Sequence, residues 1–211
     1  MKNIRVNFSS GRLLLEGILT IPEDDGLLPV VIVCHPHPLY GGSMDNSVVC
    51  SITETITQES LVSFKFNFRG VGGSQGAFGQ GIGEREDVEA AISFVSTVRK
   101  VDTRRIGLVG YSAGAGFALP VGSNDDRIKA LTAVSPPLSM FDFDFLKGCP
   151  KPKLVISGSK DDYVPIDQFL EFCQKLPDPK ECEIIEGADH FWLGYESKLA
   201  ARVTAFFTEV L

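Results

Sequence analysis

The sequence has little of several features that mark specialised classes of protein. Its 20 Lys and Arg residues are outnumbered by 27 Asp and Glu residues, so the formal charge at pH 7 is −7. Nucleic acid and anionic membranes require clustered positive charge, and the composition disfavours both as partners. No segment approaches the roughly 20 apolar residues of a membrane-spanning helix. Residues 1–10 lack the unbroken apolar stretch of a signal peptide. We therefore expect a soluble, cytoplasmic protein.

Cysteine is also sparse and irregularly placed. The five cysteines form an odd number, contain no Cys-x-x-Cys pair and mostly lie among apolar residues. This pattern indicates free thiols in a reducing compartment. His35 and His37 have the spacing of a metal-binding pair, but no cluster of Cys, Asp or His accompanies them. The sequence therefore predicts neither a metal site nor a cofactor.

What the chain does contain is an alternation of short apolar runs and amphipathic segments. Residues 13–21 have the one-sided pattern of an antiparallel strand, and the continuous apolar run 30–34 is typical of a strand buried on both faces. Further strands are predicted at 61–68, 106–109, 128–134, 153–157 and 182–186. Helices are predicted at 87–100, 112–120 and 167–176. One more helix should follow a cap at Ser43, and a last one should end the chain. Alternating strands and helices predict a parallel sheet covered on both sides.

No linker or internal repeat divides the chain. The sequence therefore predicts one domain, residues 1–211, of the α/β class: a three-layer α/β/α sandwich with a mostly parallel, twisted sheet.

Residues 110–114 read Gly-Tyr-Ser-Ala-Gly and lie directly between a predicted strand and a predicted helix. As a bare pattern this is weak, because glycine and serine are common. A strained turn that exposes a serine nevertheless requires small residues two positions to either side, and the motif supplies them. The alternative is a glycine-rich turn that only allows a helix to pack closely. We predict that Ser112 is a nucleophile.

A serine hydroxyl is a weak nucleophile and must transfer its proton to a base as it attacks. His35 and His37 precede Ser112 in the chain, whereas His190 follows it, after the predicted strand 182–186. Because loops at the carboxyl ends of parallel strands converge, and because the expected chain order is serine, acid, histidine, we assign the base to His190.

The carboxylate that orients this base should follow the predicted strand 153–157. Two candidates, Asp161 and Asp162, are adjacent there. Neighbouring loop residues point in different directions, so only one of them can accept the second N–H of the histidine. We favour Asp161, with Asp162 as the alternative; Asp189 is too close to His190 in sequence to be its partner.

Together these residues resemble the α/β-hydrolase superfamily, and within it the small serine hydrolases without a lid that are related to dienelactone hydrolase. The similarity extends along nearly the whole chain and rests on five segments: 35–42, 67–74, 110–114, 161–165 and 189–190. Dienelactone hydrolases proper have cysteine where this chain has Ser112. The resemblance therefore implies hydrolysis of small carboxylic esters through an acyl-serine intermediate instead of dienelactone chemistry.

The resemblance also implies where the oxyanion hole lies. One donor should be the backbone N–H of Ala113, which follows the nucleophile, and the other should come from the turn after the strand 30–34. Pro36 and Pro38 have no N–H, so the backbone of His37 is the second candidate.

The glycine-rich segment 70–76 lacks phosphate-binding spacing and is interpreted as a loop. Arg69 is expected to be a structural donor for that loop.

Many α/β hydrolases have a lid domain between the strand that follows the nucleophile helix and the strand that carries the acid. In this chain that interval, residues 135–152, is too short for a lid. We predict an open site in which Phe141 and Phe143, together with Tyr111, bind the substrate. The alternative is that the two phenylalanine rings only cap the core.

An acyl-serine mechanism is also shared by thioesterases and amide hydrolases, which the sequence does not separate from esterases. The expected partner is a small-molecule ester or thioester. A non-catalytic binding protein is less favoured, because serine, acid and histidine are all present.

Overall fold

Eight strands and five α-helices alternate along most of the chain. The computed structural model describes residues 1–211. The strands are β1 (Lys2–Ser10), β2 (Leu13–Ile21), β3 (Leu28–Cys34), β4 (Val62–Phe66), β5 (Val101–Tyr111), β6 (Ile128–Val134), β7 (Lys153–Lys160) and β8 (Lys180–Asp189). The helices are α1 (Ser47–Gln58), α2 (Ile82–Val95), α3 (Ala113–Asn124), α4 (Ile166–Lys175) and α5 (Glu196–Val210).

All eight strands form one sheet in the order β1-β2-β4-β3-β5-β6-β7-β8. β2 pairs antiparallel with β1 and β4, and every other neighbouring pair is parallel. Because the strands from β3 to β8 share one direction, their carboxyl ends meet at the same edge of the sheet.

The two faces of the sheet have separate hydrophobic cores. The apolar run of β3 contributes to both cores. Val30 and Ile32 pack on the face covered by α2, α3 and α4, whereas Val31 and Val33 pack on the face covered by α1 and α5. All four side chains are fully buried. The architecture is therefore a three-layer α/β/α sandwich with a mostly parallel sheet, as the alternation of strands and helices predicted.

Two helix starts differ by more than one residue from the sequence-based expectation. α2 begins at Ile82, five residues before the predicted start, because the Glu84 carboxylate accepts the N–H groups of Gly79 (2.8 Å) and Gly81 (2.7 Å) and closes the first turn. The cap of α1 is Asn46, whose side chain accepts the Val48 N–H at 3.0 Å, and not Ser43.

The interval between β6 and β7 contains only a short 3-10 turn, Asp144–Gly148, and holds no lid domain. No helix combines the length and apolar character that crossing a bilayer requires.

Candidate active site

Ser112 lies on a sharp turn between β5 and α3. Its φ of 54° is in a region that non-glycine residues seldom adopt. A Cβ atom on Gly110 would overlap the backbone of Ala115, and one on Gly114 would overlap the carbonyl oxygens at the end of β3. Strand and helix therefore touch through their backbones, and only glycine fits at both positions. This close approach is the physical reason for the Gly-x-Ser-x-Gly pattern.

The side chains of Ser112, His190 and Asp161 form one hydrogen-bonded chain at the carboxyl edge of the sheet. Ser112 Oγ is 2.9 Å from His190 Nε2. His190 Nδ1 is 2.9 Å from Oδ1 and 3.0 Å from Oδ2 of Asp161. Asp162 is exposed and makes no hydrogen bond to the imidazole. The three residues selected from the sequence thus meet, and the adjacent aspartate faces solvent.

Two donors besides His190 hold the Asp161 carboxylate. The Ser157 hydroxyl donates to Oδ2 at 3.2 Å, and the Tyr163 N–H donates to Oδ1 at 3.0 Å. Burial by itself raises the pKa of Asp161, but hydrogen bonds and the charge of His190 outweigh it and leave the pKa below its ordinary value. The carboxylate is therefore ionised at neutral pH.

A buried pair packs behind this carboxylate. The Trp192 indole N–H donates to Ser135 Oγ at 3.1 Å, and both side chains have no exposed surface. The Ser135 hydroxyl also contributes to lowering the pKa of Asp161. Sequence reasoning did not identify Ser135, Ser157 or Trp192 around the acid. Ser135 and Trp192 are far from Asp161 in the chain, and no residue pattern marks Ser157, four positions before Asp161, as a donor.

The rings of His35 and His37 make only structural contacts. His35 is fully buried; its Nδ1 is 2.7 Å from the Pro36 carbonyl and its Nε2 accepts the Phe68 N–H at 3.1 Å. Burial lowers the pKa of His35 to about 4, so the ring is neutral. The His37 ring accepts the Leu39 N–H at 3.1 Å.

The backbone of His37 is different, because its N–H has no acceptor inside the protein. Ala113 is the first residue of α3 and therefore has no helical carbonyl one turn earlier to bond its N–H. Both residues line the cleft that contains Ser112 and His190. Two residues with unpaired N–H groups thus line the same cleft as Ser112.

This cleft has a volume of about 570 Å³. Its lining comes mainly from loops that follow the parallel strands and consists of Pro36, His37, Tyr40, Gly41, Gly42, Asn46, Tyr111, Ser112, Ala113, Pro137, Met140, Tyr163, His190 and Phe191. Tyr111 is nearly fully buried, and its hydroxyl donates to the His190 carbonyl at 2.8 Å. This hydrogen bond therefore helps to hold the loop that carries the histidine.

Phe141 and Phe143, predicted to bind the substrate, do not line this cleft. Phe143 is buried in the core, and Phe141 packs edge-to-face on Phe117 with ring centroids 5.4 Å apart. Phe141 occupies space that Gly116 of α3 leaves open, since a Cβ there would overlap its ring. The prediction for these two rings is corrected: they cap the core.

Arg69 also lies outside the cleft. Its guanidinium donates to Asp87 Oδ1 at 2.8 Å and to Glu86 Oε2 at 2.9 Å, and Asp87 is fully buried. Hydrogen bonds to Asp87 raise the pKa of Arg69. The side chain is a structural donor, as expected, and its partners are on α2.

The model of the dienelactone hydrolase family matches residues 82–202, which is more than half of the chain. The chain belongs to this family. Family and fold together make the protein a hydrolase.

Individual relatives and solved structures cover the chain more fully. An uncharacterised protein of Rickettsia prowazekii is 34% identical over 172 residues, which are 78% of this chain and 72% of the relative. A solved α/β serine hydrolase homologue from Coxiella burnetii is 32% identical, covers 97% of both chains and superposes with a TM-score of 0.88. A lid-less α/β serine hydrolase from Xanthomonas campestris is 26% identical, covers 100% of this chain and 96% of its own, and has a TM-score of 0.88.

Proposed function

We propose that this family member hydrolyses small carboxylic esters through an acyl-serine intermediate. The observation that carries the proposal is the continuous hydrogen-bond chain from Ser112 Oγ through His190 to Asp161. An ionised carboxylate beside Nδ1 keeps the imidazole hydrogen on that nitrogen and leaves the lone pair of Nε2 directed at the serine hydroxyl.

Acylation begins when Ser112 Oγ attacks the ester carbonyl and His190 Nε2 takes the hydroxyl proton. The imidazolium that forms is stabilised by the Asp161 carboxylate. The tetrahedral oxyanion is bound by the backbone N–H groups of His37 and Ala113. Losing one such donor costs on the order of 3 kcal/mol of transition-state stabilisation.

The proton then passes from His190 to the departing alcohol oxygen, and the C–O bond of the ester breaks. In deacylation, His190 takes a proton from water, the resulting hydroxide attacks the acyl carbon, and the proton returns to Ser112 Oγ as the acid leaves. No group beyond these residues and water is needed to balance the cycle.

Nitrophenyl acetate provides the test. We expect Ser112→Ala and His190→Ala to lower kcat by at least about 10³-fold, because either change removes a member of one proton-transfer unit. Ser197→Ala, on the exposed face of α5, is the matched control and should keep wild-type activity. A fluorophosphonate should label the wild type at Ser112. Undiminished turnover by Ser112→Ala would overturn the proposal.

Thioesters and amides would pass through the same acyl-serine intermediate. Rates on an oxygen ester, an acyl thioester and a peptide with the same acyl group would rank the three activities. We expect the oxygen ester to be hydrolysed fastest.

A further inference from the structure

Four large side chains stand exposed around the mouth of the cleft. Tyr40, Met140, Tyr163 and Phe191 keep 83%, 59%, 52% and 63% of their surface accessible. All four line the cleft, and they come from four different loops. We name these four residues the apolar rim. Isolated exposed apolar residues are ordinary, but several around one concave opening indicate a surface that binds apolar groups.

One side of the apolar rim lies directly beside the proposed base. The Tyr163 ring centroid is 4.6 Å from that of His190, at an interplanar angle of 45°. The Phe191 ring stands edge-on to His190 at 5.6 Å and to Tyr163 at 6.3 Å. A substituent on a carbonyl carbon bound at Ser112 therefore has two aromatic side chains within reach. Edge-to-face and stacked contacts with such rings favour an aromatic substituent over an aliphatic one of similar size.

The cleft offers no cation to a bound substrate. Its lining contains no Lys, Arg, Asp or Glu. After burial, the carboxylates of Asp161, Asp189 and Glu196 raise the pKa of the lining residue Tyr111. The chain as a whole carries −7. An anionic group in this cleft would lose hydration without gaining a cation.

We propose that the cleft selects uncharged esters whose acyl group carries an aromatic ring, and that it discriminates against esters bearing a carboxylate. Tyr163 and Phe191 are the specificity-determining residues for the ring. This inference rests on the proposed ester hydrolysis at Ser112 and names the substrate class of that site.

Two substrate pairs with the same nitrophenol leaving group test the two halves of the proposal. Nitrophenyl hydrogen glutarate is anionic, and its methyl ester is the uncharged counterpart of nearly equal size. We expect kcat/KM to be at least about tenfold higher for the uncharged member, because the anion must be desolvated without a partner. Nitrophenyl phenylacetate should exceed nitrophenyl hexanoate by about fivefold, mainly through a lower KM, because its ring packs on the rim.

Variants of Phe191 assign the effect to the rim. Phe191→Ala should reduce the phenylacetate-to-hexanoate ratio of kcat/KM to near one. Phe191→Arg places a cation at the mouth and should raise the anionic-to-uncharged glutarate ratio by at least about fivefold. That increase is a gain that misfolding cannot produce. Leu193→Ala, at an exposed position outside the cleft, is the matched control and should leave both ratios unchanged.

The outcomes separate this inference from the proposed function. Wild-type rates in Ser112→Ala would overturn ester hydrolysis at this site, and the substrate class with it. If Ser112→Ala is inactive but the two glutarate esters react equally, selection against carboxylates is wrong. If Phe191→Ala keeps the wild-type preference for phenylacetate, the assignment of ring binding to the rim is wrong. Either result leaves the esterase proposal intact.

Discussion

Asp161→Asn changes the proposed triad with almost no change in shape. In the wild type, Asp161 Oδ1 accepts from His190 Nδ1 and the Tyr163 N–H, and Oδ2 accepts from the Ser157 hydroxyl and also lies 3.0 Å from Nδ1. An asparagine has one oxygen for these two positions. With its oxygen at the Oδ1 position, toward the Tyr163 N–H, its NH₂ group takes the Oδ2 position beside Ser157, and both groups lie about 3 Å from His190 Nδ1.

A hydrogen on Nδ1 would meet the hydrogens of this NH₂ group, whereas a bare Nδ1 accepts one of them, so the imidazole hydrogen moves to Nε2. Nε2 then cannot accept the Ser112 proton, although the 2.9 Å contact between the two side chains is preserved. The imidazolium also loses the carboxylate that stabilises it. A wrong tautomer of this kind lowers kcat by about 10⁴-fold in a serine–histidine–aspartate site, and we expect a loss of that order.

The assay is steady-state hydrolysis of nitrophenyl acetate at neutral pH, with kcat and KM determined separately. KM should change little, because Asp161 is beneath His190 and not in the cleft lining. The matched control is Asp162→Asn, which makes the same chemical change one residue away on an exposed side chain. The control should keep kcat within about twofold of the wild type, as expected of a surface substitution.

The refuting results are specific. If Asp162→Asn loses as much kcat as Asp161→Asn, the carboxylate that orients His190 in solution is not the one in contact with it here. If Asp161→Asn retains more than about a tenth of wild-type kcat, the tautomer of His190 does not depend on this carboxylate. Circular dichroism and thermal unfolding of both variants establish that the comparison is between folded proteins.

Three further predictions concern stability. Gly114→Ala should lower the free energy of unfolding by about 3 kcal/mol in denaturant titrations, because its methyl group would overlap carbonyl oxygens of β3, whereas Gly148→Ala has open space and should change it by less than about 0.5 kcal/mol. Arg69→Met leaves the buried Asp87 carboxylate without its cation and should cost about 3–5 kcal/mol by the same measurement; a loss below about 1 kcal/mol would contradict the ion-pair account. The pKa of buried His35 is about 4, so the unfolded chain, with an ordinary pKa of about 6.5, gains its proton first as pH falls. His35 should therefore make the protein less stable by about 2 kcal/mol at pH 5 than at pH 7, and His35→Gln should remove that part of the pH dependence.

The fold class could be predicted from the sequence because each strand leaves its own local pattern. The run 30–34 is apolar at every position, and β3 is buried on both faces. Element ends were less predictable. The early start of α2 depends on Glu84 bonding backward to Gly79 and Gly81, and no hydrophobic period records that contact.

The interval 135–152 was also predictable only in part: its length indicated an open site, but not which of its side chains line the cleft. An interval too short for a lid predicted an open site, and the cleft is open at the expected place. Which side chains of that interval face the cleft depended on packing: Phe141 fills the space beside Gly116, and Met140, its neighbour, lines the cleft instead. A turn directs successive side chains to different sides, so composition alone could not choose between them.

By itself, the sequence determined that Ser112 lies on a strand-to-helix turn and that a histidine and an aspartate follow it in the required order. The motif is local in the sequence, and one of its constraints is local too: a Cβ on Gly110 would overlap the backbone of Ala115, five residues further on, whereas Gly114 meets the end of β3. Only the tertiary structure decided that Asp161, and not Asp162, faces His190. That choice depends on His190, 29 residues away after β8, whose imidazole meets only the carboxylate that turns inward; the neighbouring carboxylate stays in solvent.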